Sequence, residues 1–165
     1  MSKKSCFFTG HRNFPLANDP AFIEHFTYVL FGCVEEGVTD FYAGGAYGWD
    51  AFCSLSVIVL KKRFPDVKLH LILPCPPEQQ TLKWNDAQKA EYNIIHGFAD
   101  DIKIVSDNYT KDCMKKRNAR LVELGDICIC YYNENDFRSG TGQKVRMAQK
   151  ANKTIFNLYT TIRST

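Results

Sequence analysis

Apolar residues recur along this chain in two alternating rhythms. Short apolar runs, often rich in β-branched and aromatic residues, cover Ser5 to Thr9, Asp40 to Ala43, Val67 to Leu73, Ile102 to Val105, Ile127 to Tyr132 and Thr154 to Leu158; their length and composition predict strands. Between them the apolar positions return at three- and four-residue steps. Phe22, Phe26, Val29, Leu30, Cys33 and Val34 mark one helix, from Ala21 to about Glu36. Phe52, Leu55, Val59 and Arg63, widened by Ala51, Ile58 and Leu60, mark a second, from Trp49 to Phe64. Weaker markers, Leu82, Ala87, Ala90 and Ile94, predict a third from Glu78 to His96. A fourth covers Thr110 to Glu123, with Leu121 and Val122 turned to the core and Lys111, Lys115, Lys116, Arg117 and Arg120 on its polar surface. A fifth follows the Gly140 turn through Val145 and Ala148 to about Ala151.

The punctuation agrees with the rhythm. Asp19-Pro20 supplies an N-cap and a first-turn proline, Gly37 and Gly97 are stop signals, and Pro65 ends the second helix. Six strands alternating with five helices predict one doubly wound parallel α/β sheet, three layers deep as α/β/α. The first strand is expected at its centre, with the third and second on one side and the fourth, fifth and sixth on the other. Right-handed crossovers would bring the loops at Thr9, Gly44, Pro74 and Gly140 to one edge of that sheet. Nothing after Tyr159 demands order.

Length and composition narrow the class. The 165 residues suit a single domain, 1–165, with an organised core over 5–158. An aromatic content of 13% and an apolar content of 45% exclude a disordered chain. No run reaches the roughly 18 apolar residues that a membrane span needs, so no membrane partner is expected. The apolar stretch behind Met-Ser-Lys-Lys-Ser is too short for a secretory signal, so a cytoplasmic protein is expected. The 21 Lys and Arg against 18 Asp and Glu give a charge of +3, mild enough to suit a small anion and no argument by itself for a nucleic acid. Seven cysteines form no CxxC pair, and an odd number argues against a closed disulfide framework. Cys128 and Cys130 read as small buried hydrophobes, and neither a metal nor a cofactor is expected.

Chemistry gathers at the strand exits. Phe41 to Asp50 joins a strand to a helix through Gly44, Gly45 and Gly48, which can adopt backbone angles closed to other residues and expose main-chain N–H groups to an anion. Asp50, in the first helical turn, would cap those amides instead, or accept a hydroxyl or amine of a ligand. His11 and Arg12 leave the first strand together. A guanidinium there can grip phosphate through two parallel hydrogen bonds, and His11 can donate or act as a general acid; the plain alternatives are a surface ion pair and a histidine bonded to backbone. Ser139, Gly140, Thr141 and Gly142 form a second candidate anion nest before a helix. Gln80 and Trp84, one helical turn apart, can face one region, where the indole stacks on a base and the amide reads its edge, or else Trp84 closes the core. Tyr47 and Trp49 carry the same two readings. Arg117 could reach a phosphate but reads more simply as a solvated charge, and Asn118 as a residue positioning the last strand's loop or a partner helix.

Taken in order, Thr9-Gly10-His11-Arg12, Gly44-Gly45-Ala46-Tyr47-Gly48-Trp49-Asp50, Gln80 followed by Trp84, Arg117-Asn118 with Leu121-Val122, and Gly140-Thr141-Gly142 resemble the small bacterial and phage proteins of the SLOG superfamily. That group includes the LOG phosphoribohydrolases and DprA. The resemblance runs from residue 5 to about residue 157, and its specificity lies in the ordered set, since each tripeptide is common. It implies a Rossmann-like fold and a pocket for a nucleotide or nucleotide-derived ligand at the carboxyl ends of the strands, lined by Thr9, Gly10, Arg12, the glycine loop, Gln80, Trp84, Arg117, Asn118 and the Ser139 to Gly142 turn. LOG enzymes cleave the bond between a base and ribose 5-monophosphate with a PGGxGTxxE loop. Here the loop reads Arg138-Ser139-Gly140-Thr141-Gly142-Gln143-Lys144-Val145: the GT is retained, while the paired glycines and the glutamate are missing.

The expected function is therefore binding of a nucleotide-derived small molecule, by a sensor or an enzyme. In an N-glycosidase, Asp50 would steady the ribose or the developing positive charge, or activate water, with His11 as the general acid. The lesser alternative is nucleic-acid binding through Lys111, Lys115, Lys116 and Arg120. A homodimer is expected through helix faces carrying Tyr92, Phe98 or the early aromatic residues.

Overall fold

A computed structural model describes residues 3–159. The strands are β1 (Lys4–Gly10), β2 (Val38–Ala43), β3 (Lys68–Leu73), β4 (Asp101–Ile104), β5 (Ile127–Tyr131) and β6 (Thr154–Asn157). The helices are α1 (Pro20–Glu35), α2 (Trp49–Arg63), α3 (Pro77–Gln80), α4 (Asp86–Phe98), α5 (Cys113–Leu124) and α6 (Gly140–Lys150). All pairings are parallel, and the order is β4-β3-β2-β1-β5-β6. The segment after Tyr159, for which the sequence demands no order, lies outside the described residues.

Alternation along the strands sorts the core into two layers. Phe8, Phe41, Leu69, Leu71 and Ile129 face α1 and α2, and Ile95 of α4 joins the same cluster. Phe7, Ile72, Cys128 and Cys130 face Leu121 and Val122 of α5 and Val145 and Ala148 of α6. Helices thus cover both faces, as the pattern predicts, in a Rossmann-like α/β/α arrangement. All seven cysteines are free and buried within this packing.

Several expectations need correcting. β4 does not join the β5 side of the sheet; it pairs with β3 at the opposite edge. It has four residues, three of them exposed, which an edge position tolerates. β5 is buried from Cys128 to Tyr131 and takes the interior place beside β1. The chain therefore reverses direction across β1 and β5, and the crevice beyond their carboxyl ends is the switch point where open α/β sheets bind ligands.

The helix expected over Glu78 to His96 is two helices. The one-turn α3 ends at Gln80, and α4 restarts behind an Asn85 capping box in which Asn85 Oδ1 accepts the Gln88 N–H at 2.8 Å and Gln88 Oε1 accepts the Asn85 N–H at 3.0 Å. Trp84 therefore lies in the break rather than on a helix, and Gly97 falls inside α4 instead of stopping it. Trp49 is wholly buried among Phe14, Phe22, Phe26 and Tyr131, which leaves no face for a ligand. Tyr92 is buried too, so of the two α4 aromatics only Phe98 is exposed.

Candidate functional site

β1 ends between its two neighbours and delivers Thr9, Gly10, His11 and Arg12 to the switch point. Gly10 is required by packing, because a Cβ there would lie 2.3 Å from Trp49 Cδ1. His11 ties the exits of β1 and β5 together: its Nε2 accepts the Asn133 N–H at 2.9 Å, and its Nδ1 is 3.8 Å from Asp136 Oδ2. An Nε2 that accepts cannot at the same time donate. Partial burial lowers the His11 pKa, opposed by the Asp136 charge, and a neutral ring fits the acceptor role. Arg12 is exposed, makes no ion pair among the described residues, and holds its guanidinium carbon 5.2 Å from the centre of the Tyr47 ring.

The glycine loop after β2 is packed against protein groups on every side that its glycines open. The Gly44 carbonyl oxygen accepts from Arg117 Nη1 at 2.5 Å and from Gln80 Nε2 at 3.3 Å, while Gln80 Oε1 accepts the Tyr92 hydroxyl at 2.8 Å. Gln80's amide is thus engaged in holding the loop. Gly48 has φ 79°, and a Cβ on it would strike the Arg12 carbonyl oxygen, so this glycine lets the β1 and β2 exits touch. Asp50 Oδ2 accepts the Ala46 N–H at 3.3 Å. Its Oδ1 is buried and has no hydrogen-bond partner among the described residues, and neither has Thr9 Oγ1.

Arg117 is not the solvated charge that a helix residue suggests, for it is 3% exposed. Its Nε donates to Asn118 Oδ1 at 3.0 Å, and Asn118 Nδ2 donates to Gln143 Oε1 at 3.2 Å, so Asn118 links α5 to the partner helix α6. Beside them lies Lys144, 6% exposed, with no hydrogen bond or ion pair among the described residues. Burial, then repulsion by Arg117, pushes the Lys144 pKa down to about 8 against the opposing pull of Asp50. Burial also lowers the Arg117 pKa, with Asp50 again pulling the other way. Asp50 at 2% exposure, Arg117 and Lys144 are thus three charged residues inside the protein with an excess cation.

Sequence reasoning left Lys144 unassigned, although a signal was present. Thr141, Lys144, Val145 and Ala148 share one helical stripe, and all four are buried. At the start of α6 the Ser139 hydroxyl oxygen accepts the Gly142 N–H at 3.0 Å, and the preceding amides of Gly140 and Thr141 have no intrahelical acceptor.

A cleft of about 630 Å³ opens at the exits of β1, β2 and β3, lined by Arg12, Tyr47, Cys75, Gln80, Trp84 and Met114 among others. This is the size of a small-molecule site. Trp84 stands edge-on to both Tyr47 and Tyr92, at 5.1 and 5.3 Å between ring centres. Arg117 lies behind the cleft wall, its Nη2 3.8 Å from Met114 Sδ. Of the residues singled out by sequence, Arg12, Tyr47, Gln80 and Trp84 share this cleft. Ser139, Gly140, Thr141 and Gly142 belong instead to the exit from β5, across β1 from it. Among the described residues no cluster of three or more His, Cys, Asp or Glu is placed to hold a metal ion, and no helix is long and apolar enough to cross a membrane.

The doubly wound sheet and its switch point define a Rossmann-like α/β protein. A model of the YspA SLOG family matches residues 6–163, and the chain belongs to that family. It is 32% identical over 162 residues to a UPF0398 protein of Staphylococcus epidermidis, covering 93% of this chain and 85% of the relative. A UPF0398 protein of Staphylococcus haemolyticus is 27% identical over 165 residues, covering 93% and 86%. Among solved structures, DNA processing protein A from Helicobacter pylori, described for its single-stranded DNA binding mode, superposes with a TM-score of 0.64 at 20% identity. That match covers 94% of this chain and 65% of the other, and it shows a shared fold.

Proposed function

We propose that this chain binds a nucleotide or nucleotide-derived small ligand across the carboxyl edge of the sheet. The observation that carries the reading is the cleft in which the unpaired Arg12 guanidinium lies beside the Tyr47 and Trp84 rings. Arg12 supplies a charge and a bidentate donor set for phosphate, and the indole supplies a stacking face for a base. The α6 N-terminus, with Gly140 and Thr141, offers amide donors to an anion that reaches across β1. Seven buried thiols without a disulfide suit the reducing cytoplasm expected from the sequence.

The second reading makes the same site an N-glycosidase acting on a nucleoside monophosphate. It is favoured by Asp50, a buried carboxylate at the switch point with one oxygen unpartnered, suited to a cationic sugar transition state. Nucleic-acid binding is the third. The exposed Lys111, Lys115, Lys116 and Arg120 and the DNA-binding structural neighbour favour it, but the mild charge of +3 does not. A homodimer would use the exposed Ile94 and Phe98, one turn apart on α4; sedimentation at high micromolar concentration would give only an 18.9 kDa species if that pairing were absent.

The deciding experiment is mass spectrometry of small molecules released from purified protein, followed by calorimetric titration with nucleotides and their ribosylated derivatives. A released or titrating nucleotide is the expected result. Salt-sensitive binding of DNA oligomers with no small-molecule ligand would move the assignment to a nucleic acid.

A further inference from the structure

The excess of buried cation is unexplained by binding in the open cleft alone. Asp50, Arg117 and Lys144 are each more than nine-tenths buried, and the single carboxylate cannot offset both cations. An uncompensated buried charge costs several kcal/mol, and proteins that keep one generally have a counter-ion for it. Two further observations point to an anionic ligand. Lys144 has no hydrogen bond or ion pair among the described residues, and Asp50 Oδ1 and Thr9 Oγ1, both buried, have no partner there either. Lys144 and the Asp50 carboxylate are near enough to feel each other's charge, and Thr9 stands at the end of β1, at the same switch point. Counting the exposed Arg12, three cations stand against one carboxylate, a surplus of two.

We propose that Lys144 is a specificity-determining residue: with Arg117 and Arg12 it makes the site select a ligand ending in a doubly charged phosphomonoester over one whose phosphate is a singly charged diester. The inference rests on the nucleotide reading above and names the charge class of its ligand. A phosphomonoester loses its second proton near pH 6, so at pH 8 it carries the two charges that match the surplus. A diester, whether a cyclic nucleotide or a link in a nucleic-acid strand, carries one per phosphate. The groups facing Lys144 are Arg117 from α5, Asp50 from α2, the Cys128 thiol from β5 and, least strongly, Arg12 from the β1 exit. With a pKa of about 8 the free amine is half protonated at pH 8, and an incoming dianion draws the missing proton in. Affinity is then greatest between about pH 6, where the phosphomonoester becomes a dianion, and pH 8, above which the Lys144 amine loses its proton.

The test is calorimetry at pH 8 in two non-phosphate buffers of different ionisation enthalpy. The four ribonucleoside 5′-monophosphates are compared with their own 3′,5′-cyclic forms, which keep base and sugar and change the phosphate to a diester. The wild-type chain is expected to bind at least one 5′-monophosphate about tenfold or more tighter than its cyclic form, with uptake of up to about half a proton. Lys144→Met, which keeps an unbranched side chain in the apolar stripe, loses both the preference and the uptake. Lys144→Arg keeps the preference and loses the uptake, because a guanidinium does not titrate. Equal affinity for the two forms in the wild-type chain, or an undiminished preference in Lys144→Met, overturns the assignment of Lys144 and leaves the nucleotide reading standing. Failure of all eight nucleotides to bind overturns this inference, and failure of the ribosylated derivatives as well removes the nucleotide reading with it.

Discussion

The Arg117 guanidinium donates to the Gly44 carbonyl oxygen, so a buried cation of α5 holds the glycine loop that follows β2. The contact also explains why position 44 is a glycine. A Cβ there would lie 2.4 Å from Arg117 Nη1 and 2.9 Å from its Cζ, so Gly44→Ala must displace the guanidinium. Overpacking of this kind costs about 1 to 3 kcal/mol, which for a chain of this size lowers Tm by several degrees. Combining Gly44→Ala with Arg117→Met should recover part of the loss, because the obstructing group is gone. Thermal denaturation of the two single variants and the double variant measures that coupling, and strict additivity would show that the two residues do not act together.

Lys144→Met should stabilise the unliganded chain at neutral pH. The folded pKa of about 8 lies below the ordinary lysine value of 10.5. The folded state therefore resists protonation, and the resulting destabilisation is present in full below pH 8. As pH rises from 8 to 10.5 the unfolded chain keeps protons that the folded one has released, and stability climbs. The difference corresponds to about 3 kcal/mol at pH 7. Urea denaturation of both proteins from pH 7 to 10 should show the Lys144→Met advantage shrinking with pH, and a constant difference would contradict the linkage.

Most of the layer architecture was readable because strands and helices in this chain have distinct apolar periods, as at Phe7-Phe8 and at Phe22-Phe26-Leu30. The place of β4 was not. A short run such as Ile102 to Val105 has the period of a strand, and only its exposure, a property of the assembled sheet, assigns it to an edge. The break between α3 and α4 was written in Asn85 and Gln88 as a capping box, but the surrounding weak apolar markers allowed one long helix. The strand exits were legible as a set, through Thr9 to Arg12 and Gly44 to Asp50. The charge state of the site was not, because burial of Arg117 and Lys144 follows from how α5 and α6 dock on the sheet, and a lysine in the sequence looks like solvent-facing charge until that docking is known.

His11 should make the fold acid-sensitive. Its folded pKa is lowered, so on acidification the unfolded chain takes up the proton first, and stability is lost as pH falls through the ordinary histidine value of 6.5 toward the folded one. Protonation of Nε2 would also break the bond from Asn133 N–H that joins the β1 and β5 exits. His11→Gln offers an acceptor that does not titrate. Denaturation at pH 7 and pH 5.5 should show a smaller acid penalty for the variant than for the wild-type chain; equal penalties would remove His11 from this role.

Arg12→Ala and Trp84→Ala separate the two halves of the proposed ligand. Removal of the guanidinium from a phosphate desolvated on binding should weaken phosphate-bearing nucleotides by about 2 to 5 kcal/mol, with little effect on the matching nucleosides. Loss of the indole should weaken nucleotides and nucleosides alike by about 1 to 3 kcal/mol, on the scale of base stacking. Calorimetric titration of one nucleotide and its nucleoside against three proteins reads both effects. A folded Arg12→Ala chain that binds every phosphate-bearing ligand unchanged would end the assignment of Arg12.

Asp50→Asn distinguishes an enzyme from a sensor. The substitution keeps the side-chain shape and an oxygen to accept the Ala46 N–H, but removes the carboxylate charge beside Arg117 and Lys144. With both cations then unopposed, a phosphate-bearing ligand should bind at least as tightly as before. In an N-glycosidase the same change withdraws the anion that stabilises the cationic sugar in the transition state, so turnover should fall by about a hundredfold or more while binding persists. Binding measured by calorimetry and base release measured by chromatography on the same protein make the comparison. Tight binding of nucleoside monophosphates with no base released by the wild-type chain identifies a sensor; base release that survives Asp50→Asn at the wild-type rate excludes Asp50 as the catalytic carboxylate.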